Sequence, residues 1–283
     1  MTTKLAERPV KAEPFLKWAG GKGQLLNDFV RFFPAAFNGY IESFVGGGAV
    51  FFYLHSKGML QGKKTILIDS NKDLITSYKS IKDSSKLKAI IKSLSNGKYL
   101  NNEENFYKVR SVEEKNDAEK TARLIFLNKT CFNGLYRVNS KGKFNVPFGR
   151  YNNPLICNSS NLNAVNKALE NTAIVSGDFE AVLEYAEKDD FVYFDPPYQP
   201  LSKTASFTAY TKDSFGVKDQ ERLAAVYRKL DKRGCKLMLS NSDVKLIRNL
   251  YEGYRIEVVK AKRMINCKSA KRGAVNELVI LNY

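Results

Sequence analysis

The residues that most clearly indicate a chemical function are Asp195, Pro196, Pro197 and Tyr198, which directly follow the apolar stretch 191–194. A short apolar run of this kind predicts a buried strand, and because proline has no N–H for a sheet ladder, we expect the strand to end at Asp195. Asp195 and the Pro196 carbonyl can then accept hydrogen bonds from an exocyclic amino group, while Tyr198 offers a ring for stacking. The four residues predict a catalytic site for chemistry on the NH2 group of a planar ring. A proline-stiffened strand end is the alternative.

A glycine-rich turn at Gly46–Gly48 follows Phe44 and precedes an apolar helix. In α/β folds the turn after a strand is where nucleotide-like ligands bind, and glycines let a ligand approach the backbone. Asp69, beyond the next strand, is placed to accept hydrogen bonds from ribose hydroxyls. Because the turn has neither the GxGxxG spacing nor a GK[ST] phosphate loop, the pattern favours a non-phosphorylated nucleoside over NAD or ATP. A tight turn without a ligand is the alternative.

A second dense block near the N-terminus consists of Trp18, Ala19, Gly20, Gly21 and Lys22. Trp18 is the only tryptophan of the chain, and a role in the core would explain it. However, a turn of small residues with Lys22 available to pair a carboxylate suits the capture of an amino-acid moiety such as methionine.

The chain offers little material for metal or hydrolase chemistry. His55 is the only histidine, so His-ligated metal sites and Ser-His-Asp hydrolysis are disfavoured. The four cysteines are far apart and form no CxxC pair, which argues against a zinc site and a disulfide framework. We expect no metal and a reducing, cytoplasmic compartment. No signal peptide and no membrane-spanning run is recognisable, so we expect a soluble protein.

The charge of the chain indicates a polyanionic partner. Its 46 lysines and arginines against 29 aspartates and glutamates give a net charge of +17, which favours nucleic acid. The basic residues are scattered, and for either basic cluster taken alone a solvated surface is the alternative. With 283 residues and 43% hydrophobic residues, the chain can form one large domain with a substantial insertion.

Strands that alternate with helical patterns must position these groups. Strands are predicted at 40–44, 65–68 and 191–194, with weaker candidates at 173–175, 236–240, 254–259 and 277–281. Together with a helical pattern at 219–230, this order predicts a mostly parallel α/β sheet of the Rossmann-like kind. The last two candidates lie close together in the sequence and can form an antiparallel hairpin at the edge of the sheet.

The character of the chain changes between about residues 72 and 160. Polar, lysine- and asparagine-rich helical stretches are followed by an irregular region at 128–154. We therefore predict a main domain formed by 1–71 and 161–283, and an inserted, mainly helical second domain formed by 72–160, packed against the sheet.

Five motifs occur in one order: Leu16–Lys22, Phe44–Gly48, Asp69, Gly177–Phe179 and Asp195–Tyr198. In this order they resemble the Dam group of DNA adenine-N6 methyltransferases, from about Pro14 to the C-terminus. The resemblance implies S-adenosylmethionine as the cofactor. The residues that it implies for cofactor binding are Trp18, Ala19, Gly20, Gly21, Lys22, Phe44, Gly46, Gly48, Asp69 on the ribose, Asp178 and Phe179 around the adenine, and Asp195.

The segment from Asn128 to Tyr151 interleaves aromatic residues, amides and arginines, which are residue types that read base edges. Self-stabilising turns are the alternative for such a composition. The segment resembles the recognition hairpin of Dam-like enzymes that modify GATC, and that of relatives with longer sites containing GAT. By this resemblance Leu135 and Arg137 read bases, Phe132 and Asn133 fill or pry the stack, Lys17 and Tyr151 address the outer guanine, and Asn139 also contacts DNA.

The resemblance implies methyl transfer to N6 of adenine in double-stranded DNA, within GATC, after the base has been flipped out. We expect a monomer in a prokaryotic or phage-type setting, with no membrane partner. Two alternatives stay open at this point. One is methylation of cytosine N4 or another planar amine, because related motifs with two prolines serve any such group. The other is a sequence-specific DNA-binding protein that has lost catalysis.

Overall fold

The computed structural model of the chain describes residues 10–18, 20–200, 215–262 and 274–283. The strands in these residues form one sheet with the order β3-β2-β1-β4-β5-β7-β6. They are β1 (Tyr40–Ser43), β2 (Thr65–Asp69), β3 (Thr172–Ser176), β4 (Phe191–Phe194), β5 (Lys236–Ser242), β6 (Arg255–Lys262) and β7 (Ala274–Leu281).

Helices separate most of these strands. They are α1 (Leu26–Phe29), α2 (Ala49–Ser56), α3 (Lys72–Lys82), α4 (Ser84–Ser95), α5 (Glu103–Ser111), α6 (Asp117–Thr130), α7 (Ser159–Leu169), α8 (Val182–Tyr185), α9 (Val217–Arg233) and α10 (Lys245–Leu250). In the described part of the chain, no helix has both the length and the apolar character needed to cross a bilayer.

The predicted α/β sheet with an antiparallel edge hairpin is confirmed. Strands β1 to β5 pair in parallel, whereas β7 is antiparallel to both β5 and β6. The chain builds outwards from β1 to β2 and β3, and then returns to place β4 on the other side of β1. Such a reversal opens a crevice at the carboxyl ends of the two central strands. Ser43 and Phe194 are paired in register there, so the residues that follow them lie side by side.

Two hydrophobic cores cover the two faces of the sheet. Alternate residues of β4 point to opposite faces, with Phe191 and Tyr193 in one core and Val192 and Phe194 in the other. All four side chains are fully buried. A strand that is buried on both faces reads as a continuous apolar run, which explains why β4 was recognisable from the sequence.

Helices α3 to α7 share the first of these cores with the sheet, since Tyr78, Ile90 and Phe126 pack in the same cluster as Tyr40 and Phe191. Four asparagines of this region cap the N-termini of helices. At the N-termini of α3, α5, α6 and α7 an asparagine side chain accepts a hydrogen bond from a backbone N–H of the first turn, the residues being Asn71, Asn102, Asn116 and Asn158. Each cap of this kind contributes about 1 kcal/mol.

Two predicted boundaries are wrong. Strand β1 ends at Ser43 rather than at residue 44, because Phe44 has a left-handed backbone with φ of 65° that cannot continue a strand. The irregular region was expected to begin at Asn128, but α6 continues to Thr130, and Asn128 is a buried helical residue.

Candidate active site

Asp195 is the first residue after β4 and lies at the crevice beside the end of β1. Its Oδ1 atom is 2.6 Å from Nζ of Lys22, and the two side chains are 20% and 4% exposed. Burial raises the pKa of Asp195, and the Lys22 ammonium opposes this rise. Lys22 was expected to pair a carboxylate of a ligand. In the structure it pairs Asp195, and its Nζ also lies 4.7 Å from the centre of the Tyr198 ring.

A network of buried amides holds the backbone after Asp195. Gln220 of α9 donates a hydrogen bond to the Pro197 carbonyl (3.0 Å) and accepts one from Asn241 of β5 (3.0 Å). Asn241 accepts a hydrogen bond from the Gln199 N–H (3.1 Å), and Ser242 donates one to the Gln199 carbonyl (2.6 Å). Gln220 and Asn241 are fully buried. They were not identifiable from the sequence, because single amides so far from the motif form no pattern with it.

The Tyr198 side chain is oriented by one contact at its hydroxyl and one at the face of its ring. Its hydroxyl donates a hydrogen bond to Oε2 of Glu277 on β7 (2.7 Å), and its face lies over Lys22. The edge hairpin therefore contributes a carboxylate to the orientation of Tyr198. Glu277 is a further residue that the sequence motifs do not identify.

The glycine turn is tied to Asp69 and to Trp18. The Gly46 N–H donates a hydrogen bond to the Asp69 carboxylate (3.0 Å), which also accepts one from the Asn71 N–H (2.9 Å). Gly46 has φ of 48°, and a Cβ atom there would lie 2.7 Å from the Trp18 indole. The absence of a side chain at Gly46 thus allows Trp18 to pack on the turn. At Gly48, which has φ of 69°, a Cβ atom would meet the Tyr78 hydroxyl at 2.7 Å.

Glu42 lies within β1 below the glycine turn, where it is 2% exposed. Its Oε2 accepts hydrogen bonds from the Tyr40 hydroxyl (2.7 Å) and from the Phe51 N–H in the first turn of α2 (3.1 Å). Burial raises the pKa of Glu42 to about 8, so the carboxyl is protonated at neutral pH. It connects the start of α2 to the central strand.

Phe44 and Phe179 come together at the crevice. Their rings stack with centroids 5.4 Å apart and planes 24° apart. Arg222 of α9 lies over the Phe179 ring at 4.9 Å and pairs with Asp178 at 3.2 Å. Asp178 also accepts a hydrogen bond from the Glu180 N–H and so caps the short helical turn Phe179–Ala181. Arg222 was not singled out from the sequence.

Among the expected DNA-contacting residues, Lys17 and Tyr151 contact each other, and Phe132, Asn133 and Arg137 are exposed. The Lys17 ammonium lies 4.6 Å from the centre of the Tyr151 ring. Arg137 is exposed, and its Nε donates a hydrogen bond to Oδ1 of Asn145 (2.7 Å), which orients the guanidinium. Phe132 has 52% of its surface exposed. Asn133 is also exposed, with a left-handed φ of 56°.

Leu135 and Asn139 are engaged by the protein itself. Leu135 is half-buried and packs against the core. The Asn139 Oδ1 atom accepts hydrogen bonds from the Lys141 and Lys143 N–H groups, both at 3.0 Å, so this oxygen stabilises its own turn. Ala19 lies outside the described residues. Within the described ranges, no three His, Cys, Asp or Glu side chains come together in a way that could hold a metal ion.

Comparison with known proteins identifies the family. Residues 18–265 match the profile of the D12 class N6 adenine-specific DNA methyltransferases. The chain belongs to this family. The resemblance noted in the sequence motifs is therefore confirmed, and the protein is an adenine-specific DNA methyltransferase.

Three relatives of this D12 class methyltransferase match over nearly their whole length. The Type II methyltransferase M.MjaIII of Methanocaldococcus jannaschii is 52% identical over 293 aligned positions, covering 97% of this chain and 100% of that protein. The Type II methyltransferase M1.LlaDCHI of Lactococcus lactis subsp. cremoris is 39% identical, covering 99% and 98%. The DNA adenine methylase of Haemophilus influenzae is 35% identical, covering 96% and 94%.

Membership of the D12 class implies the use of S-adenosylmethionine, and the residues present fit this group. Asp69 uses its oxygens for two backbone N–H groups, which leaves about two of its four acceptor positions for ribose hydroxyls. Phe44 and Phe179 provide an aromatic surface for a purine. A Cβ atom built at Gly20 would meet nothing within 4 Å, so the space beside the Gly20 backbone is open.

Proposed function

We propose that the protein uses S-adenosylmethionine to methylate N6 of an adenine that it flips out of duplex DNA. The observation that carries this proposal is the position of Asp195 and Tyr198 at the carboxyl end of β4, beside the glycine turn that follows β1. An acceptor and an aromatic face are thus next to a nucleoside-type site. Flipping is required because N6 is paired and stacked within a duplex, and it costs a few kcal/mol.

Asp195 and the Pro196 carbonyl accept hydrogen bonds from the N6 amino group and so favour the positive charge that develops on nitrogen. Tyr198, held by Glu277 (2.7 Å), stacks on the base. The Lys22 ammonium now occupies the space between Asp195 and Tyr198, so the entering base must displace it. S-adenosylmethionine, when bound, supplies an electrophilic methyl group on a sulfonium. No covalent enzyme intermediate is needed, because the methyl group would pass directly to N6 with a neutral thioether as the leaving group, and N6 would then lose one proton to solvent.

The cofactor-binding part of the proposal follows the same crevice. Asp69 receives the ribose hydroxyls, while Phe44, Phe179 and Asp178 surround the adenine. The segment from Trp18 to Lys22 binds the methionine moiety. The contact of the Trp18 indole with Gly46 supports this arrangement, because it joins the segment that binds methionine to the glycine turn that follows Phe44.

The recognition domain that we propose comprises residues 72–160, and the catalytic domain comprises 1–71 and 161–283. Exposed Phe132 and Asn133 fill the space left by the flipped base, Arg137 and Leu135 read bases, and Lys17 and Tyr151 address a flanking guanine. The orientation of the Arg137 guanidinium by Asn145 supports a base-reading role, since bidentate readout of guanine needs a fixed plane. We propose GATC as the target, with the protein acting as a cytoplasmic monomer on one strand per binding event.

The test is transfer of a labelled methyl group to a GATC duplex and to a duplex of the same composition in scrambled order, followed by nucleoside analysis. We expect N6-methyladenine in the GATC duplex. Asp195→Ala should abolish transfer, whereas Asp243→Ala, at the end of the neighbouring strand β5, should not. Methylated cytosine, or turnover by Asp195→Ala, would contradict the proposed reaction. Equal methylation of both duplexes would contradict only the target sequence.

A further inference from the structure

Asn128 joins two segments that are distant in the sequence. It is fully buried in the last turn of α6. Its Oδ1 accepts a hydrogen bond from the Lys17 N–H (2.7 Å), and its Nδ2 donates hydrogen bonds to the carbonyls of Lys17 (2.8 Å) and Gly134 (3.0 Å). One carboxamide thus holds both backbone groups of Lys17 and the turn that follows Phe132.

The contact between Lys17 and this turn is tight. Gly134 has φ of 60°, and a Cβ atom there would lie 2.6 Å from Cδ and 2.7 Å from Cβ of Lys17. The aliphatic part of Lys17 therefore packs directly on the Gly134 backbone, while its ammonium lies over Tyr151. Both the stem and the ammonium of Lys17 therefore contact residues of the segment 128–151.

The neighbouring residue, Trp18, contacts both halves of the site. Its indole packs against Gly46 of the glycine turn. It also stacks on Tyr136 of the segment 128–151, with ring centroids 5.3 Å apart and planes 24° apart. The Tyr136 hydroxyl donates a hydrogen bond to Asp73 (2.8 Å). A shift of the backbone at Lys17 would therefore move Trp18, and with it the position of the glycine turn relative to the segment 128–151.

We propose that Asn128 is a positioning residue for target discrimination. By holding the Lys17 backbone against Gly134, it places Lys17 for DNA contact and Trp18 for cofactor contact as a single unit. This inference rests on the proposed function, because it assumes that the segment around Gly134 reads DNA. Loss of the Asn128 bonds should uncouple the two placements, so that methylation of near-target sequences rises relative to methylation of the target itself.

The chain contains a matched control. Asn161 of α7 makes the same paired bonds with the backbone of Glu13, accepting from its N–H (2.9 Å) and donating to its carbonyl (3.0 Å). Its side chain bonds to the same N-terminal segment that Asn128 holds, but in the described part of the chain it contacts there only the Glu13 backbone. Asn161→Asp and Asn128→Asp remove the same chemical group, the amide donor, while they preserve side-chain shape.

The experiment treats unmethylated genomic DNA with the wild type and both variants and maps the methylated adenines by sequencing. We expect one short target for the wild type and for Asn161→Asp. For Asn128→Asp, the ratio of kcat/KM between target and near-target duplexes should fall roughly threefold to thirtyfold, through KM for DNA more than through kcat. Thermal unfolding verifies that each variant is folded, and Asn128→Ser, which adds no charge, is measured in the same way.

The outcomes separate the two proposals. Equal discrimination by Asn128→Asp, Asn128→Ser and Asn161→Asp would overturn the positioning role while the proposed reaction stands. A loss of kcat in the Asn128 variants with unchanged discrimination would overturn it as well. Absence of methylated adenine with the wild-type protein would overturn the proposed function itself.

Discussion

The Lys22 ammonium lies 2.6 Å from the Asp195 carboxylate and 4.7 Å from the centre of the Tyr198 ring. These are the two groups to which we assign the flipped adenine. A cation therefore lies where we propose that a neutral amino group binds. Burial raises the pKa of Asp195 and the Lys22 ammonium opposes that rise, so Lys22 helps to keep the carboxylate ionised while no base is present.

Lys22→Met should raise the pKa of Asp195, because it removes the cation that opposes the effect of burial. If catalysis requires ionised Asp195, the acid limb of kcat/KM will move to higher pH, as measured from initial rates between about pH 5 and 9. Lys63→Met is the control, since Lys63 donates to the Phe37 carbonyl and does not contact Asp195. An acid limb at the wild-type position in Lys22→Met would show that Asp195 does not depend on this cation.

Gln220→Leu should weaken both stability and turnover. Asn241 would lose its hydrogen-bond acceptor and the Pro197 carbonyl its donor, which costs about 1–3 kcal/mol. The free energy of unfolding comes from a urea titration, and kcat from saturating substrate. Gln220→Glu keeps the acceptor for Asn241 but buries a carboxyl next to the Pro197 carbonyl, so relative to the wild type it should be less stable at about pH 8 than at about pH 5, where a protonated carboxyl can still donate. The same stability difference from the wild type at both pH values would contradict this buried contact.

Much of the site could be predicted from the sequence because its motif residues are close neighbours along the chain. The apolar run of β4 followed by Asp195 and the prolines, and the glycines after β1, indicate strand ends directly. The parallel pairing of β1 and β4 then brings the two motifs together. A strand pattern and a strand-end motif are local patterns of neighbouring residues, and such patterns can be recognised in a single sequence.

The remaining contacts join distant residues of ordinary type. Asn128, Gln220 and Asn241 are single amides that resemble the many solvent-exposed amides of the chain, and only their burial distinguishes them. Asn128, for example, bonds to residues that are 6 and 111 positions away in the sequence. Such pairings depend on how α6, α9 and β5 pack, which is a property of the tertiary structure. The left-handed backbone of Phe44 was equally unpredictable, because aromatic residues rarely adopt it.

Glu42 should make the stability of the protein depend on pH. Its folded-state pKa is raised to about 8, so at pH values between about 4 and 8 the folded protein holds a proton that the unfolded chain has released. The contribution of Glu42 to stability is therefore greatest in acid and is lost as the pH rises to about 8. Glu42→Gln should remove this dependence, at up to about 1.4 kcal/mol per pH unit.

The measurement for Glu42 is the free energy of unfolding of the wild type minus that of Glu42→Gln, at a series of pH values. We expect the difference to fall as the pH rises and to level off above about pH 8. Glu257→Gln, at a partly exposed carboxylate on β6, is the control and should follow the wild type. A constant difference between the wild type and Glu42→Gln would show that Glu42 is ionised in the folded protein.

Phe44→Gly should be more stable than Phe44→Ala, contrary to the usual order. Both variants lose the ring contacts with Phe179 and Phe215, but only alanine keeps the strain of the left-handed backbone at φ of 65°, which costs about 1–2 kcal/mol. Urea unfolding of the pair measures this difference. Phe33, an aromatic residue with an ordinary φ of −69°, is the control, and there glycine should be the less stable substitution.

Arg137→Ala should relax discrimination at one base pair by about 1–3 kcal/mol. The structure supports a readout role because Asn145 bonds to the guanidinium through both its side chain (2.7 Å) and its carbonyl (3.2 Å), leaving the other donors of Arg137 in a fixed plane. The measurement is kcat/KM on duplexes that each carry one substituted base pair of the target. Arg248→Ala, where the arginine pairs with Asp243, is the control and should discriminate like the wild type. A uniform loss of affinity for all duplexes would instead identify Arg137 as a phosphate contact, with a lower salt dependence of binding.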